Sequence, residues 1–405
     1  MLNGHKRRAI GELCEFTNGN GFRPPDWKPT GLPIIRIQNL NGSKCFNYFD
    51  GVPKPKWIVE PGDLLFAWAG VKGVSFGPTI WSGPRGVLNQ HIFRVTPHKG
   101  IDKYWLYAAL QAITQRIEAN AHGFKSSLVH VHKDDIVRQL VDVPALNEQK
   151  KIADVLRTWD DAIEACERMI VTLTARQRAL AHQLVFGDRR LGNHARNAEK
   201  QKVRWLTVPA DWSVVPIGSV ADERTDINRS GIALEVLSCS KYHGFVRSLQ
   251  YFKKQVFSSD LSGYKIIRRG DFGFPSNHVE EGSIGLQNLV DEGLVSPIYT
   301  VFRFNDERVD SGFAYSLLKT ELYRHIFQVS TSASVDRRGS LRWSDFSTLP
   351  FPLPPIAEQR EIQKVLDAGG SQIAQQQRER DALIKQKSGL MQKLLTGQWR
   401  VRVNA

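Results

Sequence analysis

The sequence contains one long internal repeat, and this repeat limits the chain to a tandem architecture. Residues 143–191 align without gaps on residues 353–401, an offset of 210 residues, and 13 of the 49 aligned pairs are identical. The identical pairs include Pro144 with Pro354, Glu148 with Glu358, Gln149 with Gln359 and Gly187 with Gly397. Weaker similarities precede each copy at offsets of 207 to 210 residues. The chain is therefore predicted to hold two copies of one unit, each a diverged globular domain followed by a preserved segment.

Each preserved segment is bounded like one long helix, because it begins after proline and ends at glycine. Apolar residues recur at alternating spacings of four and three, which is the heptad seam of a coiled coil. The apolar seam positions are Ile152, Leu156, Trp159, Ile163, Ile170, Leu173, Leu180 and Leu184 in the first copy and Ile362, Leu366, Ile373, Leu383, Leu390 and Leu394 in the second. In the second copy Gly369, Gln376, Arg380 and Lys387 interrupt the seam. Such interruptions disfavour a homodimer of either helix, so we expect the two helices to pair with each other; the alternative is that each packs on its own domain.

The diverged stretches show short β-branched and aromatic runs bounded by Gly, Pro and Asn, which predict strands in a mixed domain. Strands are predicted at 32–37, 63–68, 91–95, 231–237 and 299–304, and helices at 103–120 and 311–327. The predicted fold class is α+β, with two mixed α/β domains alternating with two long helices that pair as a coiled coil, in a pseudo-two-fold tandem repeat. The predicted segments are a first domain (1–143), a central helix (144–190), a linker (191–206), a second domain (207–352), a C-terminal helix (353–397) and a tail (398–405).

The charge of the chain predicts a polyanionic partner. It has 55 Lys and Arg against 41 Asp and Glu, a net charge of +14, and basicity of this size usually accompanies nucleic-acid binding. The excess is uneven, with 18 basic against 11 acidic residues in 1–143 but 16 against 17 in 207–352. The second domain therefore needs a local cluster of charge. No apolar run has the length of a membrane span, and the first residues lack a secretory pattern, so we expect a cytoplasmic protein without a membrane partner.

Base edges are read by side chains that present donors and acceptors, above all Arg, Lys, Asn and Gln, on loops that reach a groove. Such residues are clustered in both domains, and for any single one a solvated turn is the alternative. The candidates are Arg36, Gln38, Asn39, Lys72, Arg85, Asn89, Gln90, His91, Lys125, Ser126 and Ser127 in the first domain and Lys241, Tyr242, His243, Asn277, His278, Arg337, Arg338 and Arg342 in the second.

Metal and enzyme sites are not indicated by the sequence. His91, His130 and His132 lack acidic or cysteine partners at ligand spacing, so we predict no metal site. No Gly-Lys dipeptide occurs, which excludes a P-loop. Glu148 and Glu358, in the first turn of each long helix, are expected to compensate the helix dipole, with docking as an alternative. We therefore predict a non-catalytic chain, with no catalytic residue and no cofactor of its own.

The ordered set of features resembles the specificity (S) subunit of type I restriction-modification systems, and the similarity extends over essentially the whole chain. Each long helix opens with a Pro-x-x-x-Glu-Gln signature, at 144–149 and 354–359, and each ends at a glycine. Further phrases similar to the family lie at 32–37, 61–65 and 209–212. No single motif is specific to this family, but the order of the motifs, repeated at a period of 210 residues, is specific.

The resemblance implies that each domain is a target recognition domain that reads one half of a bipartite, asymmetric site in double-stranded DNA. It implies that the helices set the spacing of the halves and dock two methyltransferase (M) subunits, to which restriction (R) subunits are added. Methylation, ATP hydrolysis and cleavage, with S-adenosylmethionine, ATP and Mg, would then belong to the partners. The alternative is a coiled-coil assembly scaffold whose globular domains bind proteins, which the nearly neutral second domain leaves open.

Overall fold

The computed structural model describes residues 5–71, 73–120, 128–194, 199–252, 254–331 and 340–402. The helices are α1 Ile37–Leu40, α2 Lys103–Asn120, α3 Lys133–Val137, α4 Leu146–Val185, α5 Ser248–Phe252, α6 Ser311–Leu318, α7 Glu321–Ser330, α8 Trp343–Phe346 and α9 Ile356–Leu395. The chain forms two compact units, residues 1–168 with 377–405 and residues 169–376. The two long helices, α4 and α9, each contribute one segment to each unit.

The first unit contains two four-stranded sheets and two strand pairs. Its strands are β1 Lys6–Ala9, β2 Cys14–Asn18, β3 Leu32–Ile35, β4 Tyr48–Phe49, β5 Ile58–Val59, β6 Leu64–Ala67, β7 Ala69–Val71, β8 Gly77–Ile80, β9 Gly86–Leu88, β10 Ile92–Pro97, β11 Leu128–His130 and β12 Leu140–Val143. One sheet is antiparallel in the order β2-β10-β6-β8, and the other has the order β4-β3-β9-β5 with β3 and β9 parallel. The core lies between the first sheet, α2 and the helix segments, and includes Phe66, Trp105, Ile152 and Leu394.

The second unit repeats this arrangement in part, since its described strands form one four-stranded sheet and four strand pairs. Its strands are β13 Lys200–Val203, β14 Leu206–Pro209, β15 Ser213–Pro216, β16 Ala221–Glu223, β17 Leu237–Ser240, β18 Gly244–Arg247, β19 Lys265–Arg268, β20 Phe272–Pro275, β21 Gly285–Leu286, β22 Glu292–Val295, β23 Tyr299–Phe304 and β24 Pro350–Leu353. The antiparallel sheet β16-β23-β20-β21 corresponds to the first sheet of the first unit. β15 pairs with β24, placing Ser213 opposite Leu353, as β1 pairs with β12, placing Lys6 opposite Val143. In both units the strand before a long helix therefore pairs with a strand near the start of the globular domain.

The long helices end as predicted, at glycines in the left-handed region. Gly187 has φ +66° and Gly397 has φ +69°, and their amides donate to the carbonyls of Leu184 and Leu394, both at 3.2 Å. A side chain at this φ is strained, so glycine fits the position after the last helical turn.

The two helices run antiparallel in each unit. In the first unit Lys387 Nζ lies 2.5 Å from Asp160 Oδ1, and in the second Gln177 Nε2 donates to the carbonyl of Leu366 at 2.7 Å. All fourteen predicted apolar seam residues are buried or partly buried. The predicted α+β class and the pairing of the two helices are confirmed.

Gly369 makes room for a polar seam contact. A Cβ on Gly369 would lie 2.0 Å from Gln177 Oε1, whereas a Cβ on the adjacent Gly370 would meet nothing within 4 Å. The glycine that interrupts the apolar seam is therefore matched to the Gln177 amide, and α9 continues through it without a break.

Alanine at the two neighbouring glycines is expected to have different effects on stability. Gly370→Ala should raise the free energy of unfolding by about 0.5–1 kcal/mol, since alanine is the better helix former. Gly369→Ala should gain none of this, because Gln177 must leave its bond to Leu366. Urea denaturation of the full chain measures both, and adding Gln177→Ala to Gly369→Ala should restore the gain. Equal stabilisation by the two single variants would contradict the polar seam contact.

Three sequence predictions differ from the structure in detail. The strand expected at 231–237 is irregular up to residue 236, because the buried Asn228 amide binds both the backbone N–H and the carbonyl of Ile232 at 3.0 Å and forms a loop. The helix expected at 311–327 is broken into α6 and α7, since Thr320 caps a new helix by accepting from the Tyr323 amide. The segment expected to be a linker contains β13.

Candidate nucleic-acid interface

The glutamine of each Glu-Gln pair fastens the start of a long helix to the globular domain. Gln149 accepts from the Asp102 amide at 2.8 Å and donates to the Pro144 carbonyl at 2.9 Å. Gln359 makes the equivalent bonds to Asp310 and Pro354, at 2.9 and 2.8 Å. Both amides are buried. The preserved glutamines thus fix where each helix leaves its domain.

The glutamate of each pair binds an arginine that follows the end of the other long helix. In the second unit Arg190 Nε and Nη2 each donate to Glu358 at 2.8 Å, and Trp212 Nε1 donates to the same carboxylate at 3.1 Å. We call Glu358, Arg190 and Trp212 the second helix-end cluster. Glu358 is fully buried and Arg190 is 8% exposed. The hydrogen bond to Glu358 makes the largest contribution to raising the pKa of Arg190, and the hydrogen bond to Asp211 adds to it.

The first unit has the corresponding arrangement. Arg400 Nε and Nη2 lie 2.6 and 2.7 Å from Glu148, and His5 Nε2 lies 3.4 Å from it. We call these three residues the first helix-end cluster. The Glu148 side chain is only 4% exposed. The Glu148 and Glu358 carboxylates are both buried, and each is paired with an arginine that follows a long helix. They therefore fix the helix ends and do not fit the alternative, an exposed docking role.

Several predicted DNA-contact residues of the first unit meet at one place. Arg36, Gln38, Asn89 and His91 line a pocket of about 190 Å³ at the ends of β3 and β9. We call it the polar pocket. Sites for whole small molecules are typically about 300–1,000 Å³, so this pocket suits the edge of a larger molecule.

The polar pocket contains buried hydrogen-bonding atoms without partners among the described residues, namely Arg36 Nε, Asn89 Oδ1 and His91 Nδ1. The Trp68 ring packs 5.0 Å from His91, and its buried Nε1 likewise has no hydrogen-bond partner among the described residues. Gln90 Nε2 lies 3.3 Å from His91 Nε2, and a donating amide there leaves the ring proton on Nδ1. These buried groups are donors and one acceptor, which are the kinds of group that read base edges.

Other first-unit candidates lie apart from the polar pocket or support it. Asn39 is buried and bonds to the Arg36 amide and to the carbonyls of Ser43 and Cys45, so it shapes the loop. Arg85 is exposed and lies 3.1 Å from Glu60. The predicted residues Lys72, Lys125, Ser126 and Ser127 lie outside the described residues.

In the second unit the candidates lie on two turns. The first, residues 240–244, joins β17 to β18 and exposes Lys241, Tyr242 and His243; we call it the tyrosine loop. Tyr242 is 76% exposed, Lys241 Nζ lies 5.6 Å from its ring, and the His243 ring lies edge-on to Tyr251 at 6.2 Å. The second turn, residues 276–282, carries Asn277 and His278; we call it the histidine loop.

Several arginines in the nearly neutral stretch 207–352 are paired with acidic side chains. Arg247, Arg268 and Arg269 each pair with acidic side chains at 2.5 to 2.9 Å. Lys241 and Arg342 are exposed and have no ion pair among the described residues. Arg337 and Arg338 lie outside those residues. The tyrosine loop therefore combines a lysine that has no ion pair among the described residues with an exposed aromatic ring.

One group of possible metal ligands was not predicted. Ligand atoms of His278, Glu280 and Glu281 lie within 4.8 Å of one another. His278 Nδ1 already pairs with Glu281 at 3.2 Å, whereas the buried Glu280 Oε2 has no hydrogen-bond partner among the described residues. Among the described helices, none has the length and apolarity that crossing a membrane requires.

Comparisons with known proteins agree with this architecture. The family model for the type I restriction modification DNA specificity domain matches residues 4–174. The type I restriction enzyme MjaVIII specificity subunit of Methanocaldococcus jannaschii is 23% identical over 356 residues, which cover 85% of this chain and 81% of the relative. The EcoBI specificity subunit of Escherichia coli is 26% identical over 385 residues, 88% of this chain and 77% of the relative.

The fold of the chain is similar to that of a solved S subunit of a type I restriction-modification system from M. genitalium. That structure aligns with a TM-score of 0.50 at 15% identity, over 97% of this chain and 96% of its own. The two relatives align with 85% and 88% of this chain, and the family model with residues 4–174. In sequence and in fold the chain is therefore similar to the specificity subunits of type I restriction-modification systems.

Proposed function

We propose that this chain gives a type I restriction-modification enzyme its DNA sequence specificity. Each globular domain reads one half of a bipartite, asymmetric site in double-stranded DNA, and the paired helices set the distance between the halves. The chain contributes no catalytic residue. Methylation, ATP hydrolysis and cleavage are functions of its partners.

The observation that supports this proposal is a preserved scaffold that carries two different surfaces. Both units repeat the glutamine anchor, the helix-end cluster and the strand pair beside the helix. In contrast, the polar pocket of the first unit presents buried donors and an acceptor, while the second unit presents an exposed lysine and tyrosine. Different surfaces on one repeated frame suit a protein that reads two unlike half-sites.

The proposed partners are double-stranded DNA, two M subunits and, in the full complex, R subunits. The partners would use S-adenosylmethionine, ATP and Mg, and the assembly would act in the cytoplasm, where the DNA is. The alternative of a protein-binding scaffold is not favoured, because the chain is similar to a DNA specificity domain and to specificity subunits of type I restriction enzymes.

The test is to express the chain with the M subunits of its own system and map modified bases across the host DNA. We expect one two-part motif with a fixed gap, absent when this chain is omitted. Modification that is independent of this chain, or a stable complex that yields no motif, would contradict the proposal and favour the scaffold.

A further inference from the structure

A single lysine connects the tyrosine loop and the histidine loop of the second unit. Lys319 Nζ donates to the carbonyl of Lys241 in the tyrosine loop and to the carbonyl of Gly282 in the histidine loop, both at 2.8 Å. These carbonyls belong to segments about 40 residues apart in sequence. The two loops therefore have a common support.

The position of Lys319 suits a fixed support. It follows the last residue of α6, where the carbonyls of the helix end favour a positive charge. It is partly buried, and burial lowers its pKa, with Lys241 contributing in the same direction and Cys239 opposing. A partly buried ammonium group is costly unless its donors are bonded, so the two carbonyl bonds hold the side chain in one place.

The same end of α6 contacts the tyrosine loop a second time. A Cβ on Gly244 would lie 2.9 Å from the Tyr315 hydroxyl, and Gly244 has φ +63°. Tyr315 and Lys319 are one helical turn apart and share a face. The loop backbone is therefore fixed on both sides of Tyr242 and His243.

The bonds of Lys319 end beside residues predicted to contact DNA. Lys241 immediately precedes Tyr242, and Gly282 closes the turn that begins with Asn277 and His278. A shift of either carbonyl would displace these side chains. Base discrimination depends on such placement, since a bidentate contact requires both donor and acceptor in register.

We propose that Lys319 is a positioning residue for DNA recognition, which fixes the two loops through which the second unit reads its half of the site. This inference rests on the proposed function. Lys319 contacts neither base nor phosphate in this proposal. It acts through the backbone of the loops that do.

The test uses Lys319→Met in the full chain with its M subunits, with mapping of modified bases as the readout. Methionine has similar length but no charge or donor. We expect one half of the motif to lose discrimination by roughly tenfold at one or more positions, while the other half stays as sharp as in the wild type. Lys319→Arg keeps the charge and several donors, and should retain more of the discrimination.

Lys265→Met is the matched control. Lys265 lies in the same unit and is likewise partly buried, and its Nζ donates to the Tyr299 carbonyl at 2.7 Å, outside both loops. It should leave both halves of the motif sharp. Hydrogen exchange of β20 and β23 shows whether the core of the unit is intact.

Each outcome is decisive. The positioning role would be overturned if both halves of the motif stay sharp in Lys319→Met, or if Lys265→Met loses as much base discrimination. It would also be overturned if Lys319→Met loses exchange protection in β20 and β23. A wild-type complex that yields no motif would instead overturn the proposed function itself, so the two failures are distinguishable.

Discussion

Arg190→Ala is expected to lower the stability of the second unit by about 3–5 kcal/mol, the cost of breaking a buried ion pair from one side. Glu358 is fully buried and accepts hydrogen bonds from Arg190 Nε and Nη2, both at 2.8 Å. Alanine leaves the carboxylate with Trp212 Nε1 at 3.1 Å as its nearest donor. Arg190→Lys should recover only part of the loss, since lysine lacks the planar fork.

The measurement is hydrogen exchange of the purified full chain. Peptides from β13 and β14 and from the start of α9 should lose protection in Arg190→Ala, while the first unit keeps its own. Arg400→Ala is the matched variant, because Arg400 occupies the equivalent position in the first helix-end cluster but is 50% exposed. Arg400→Ala should lose less protection, because water and His5 can replace the Arg400 guanidinium as partners of Glu148. An equal loss of protection in Arg190→Ala and Arg400→Ala would show that burial of the arginine does not determine the cost of breaking the ion pair.

The helix-end clusters show how far the repeat alone could predict the structure. Glu148, Glu358, Arg190 and Arg400 all belong to identical aligned pairs, and the glycines after each helix were predicted as its ends. The partners were not predictable from one copy, because each glutamate binds the arginine that follows the other helix. That pairing requires antiparallel helices, and a heptad pattern does not specify their direction.

The candidate interface was predicted only in part, for a different reason. Residue type and turn context selected Arg36, Asn89 and His91, and the structure brings Arg36 to the other two although it precedes them by more than 50 residues. The same reasoning selected Asn39, whose amide the structure uses within its loop. Lys319 gave no signal, since a lone lysine at a helix end is usually solvated. Its role depends on two distant carbonyls that only the tertiary fold brings to it.

Asn89→Ala is expected to separate stability from specificity in the first unit. Asn89 Oδ1 is buried without a hydrogen-bond partner among the described residues, a state that costs about 1–3 kcal/mol. Removing the amide should therefore leave the unit as stable as the wild type or more so. If the pocket reads a base edge, the same change should relax one position in one half of the motif by about 5- to 150-fold, equivalent to 1–3 kcal/mol.

Two measurements on the same variant test this prediction. Urea denaturation gives the change in stability, and mapping of modified bases in the complex gives the change in discrimination. Asn18→Ala, an exposed asparagine at the end of β2, should change neither. The relaxed half should be the one that Lys319→Met leaves sharp, because the two residues belong to different units. A destabilised Asn89→Ala variant with an unchanged motif would assign the amide to packing, and would remove the polar pocket from the recognition surface.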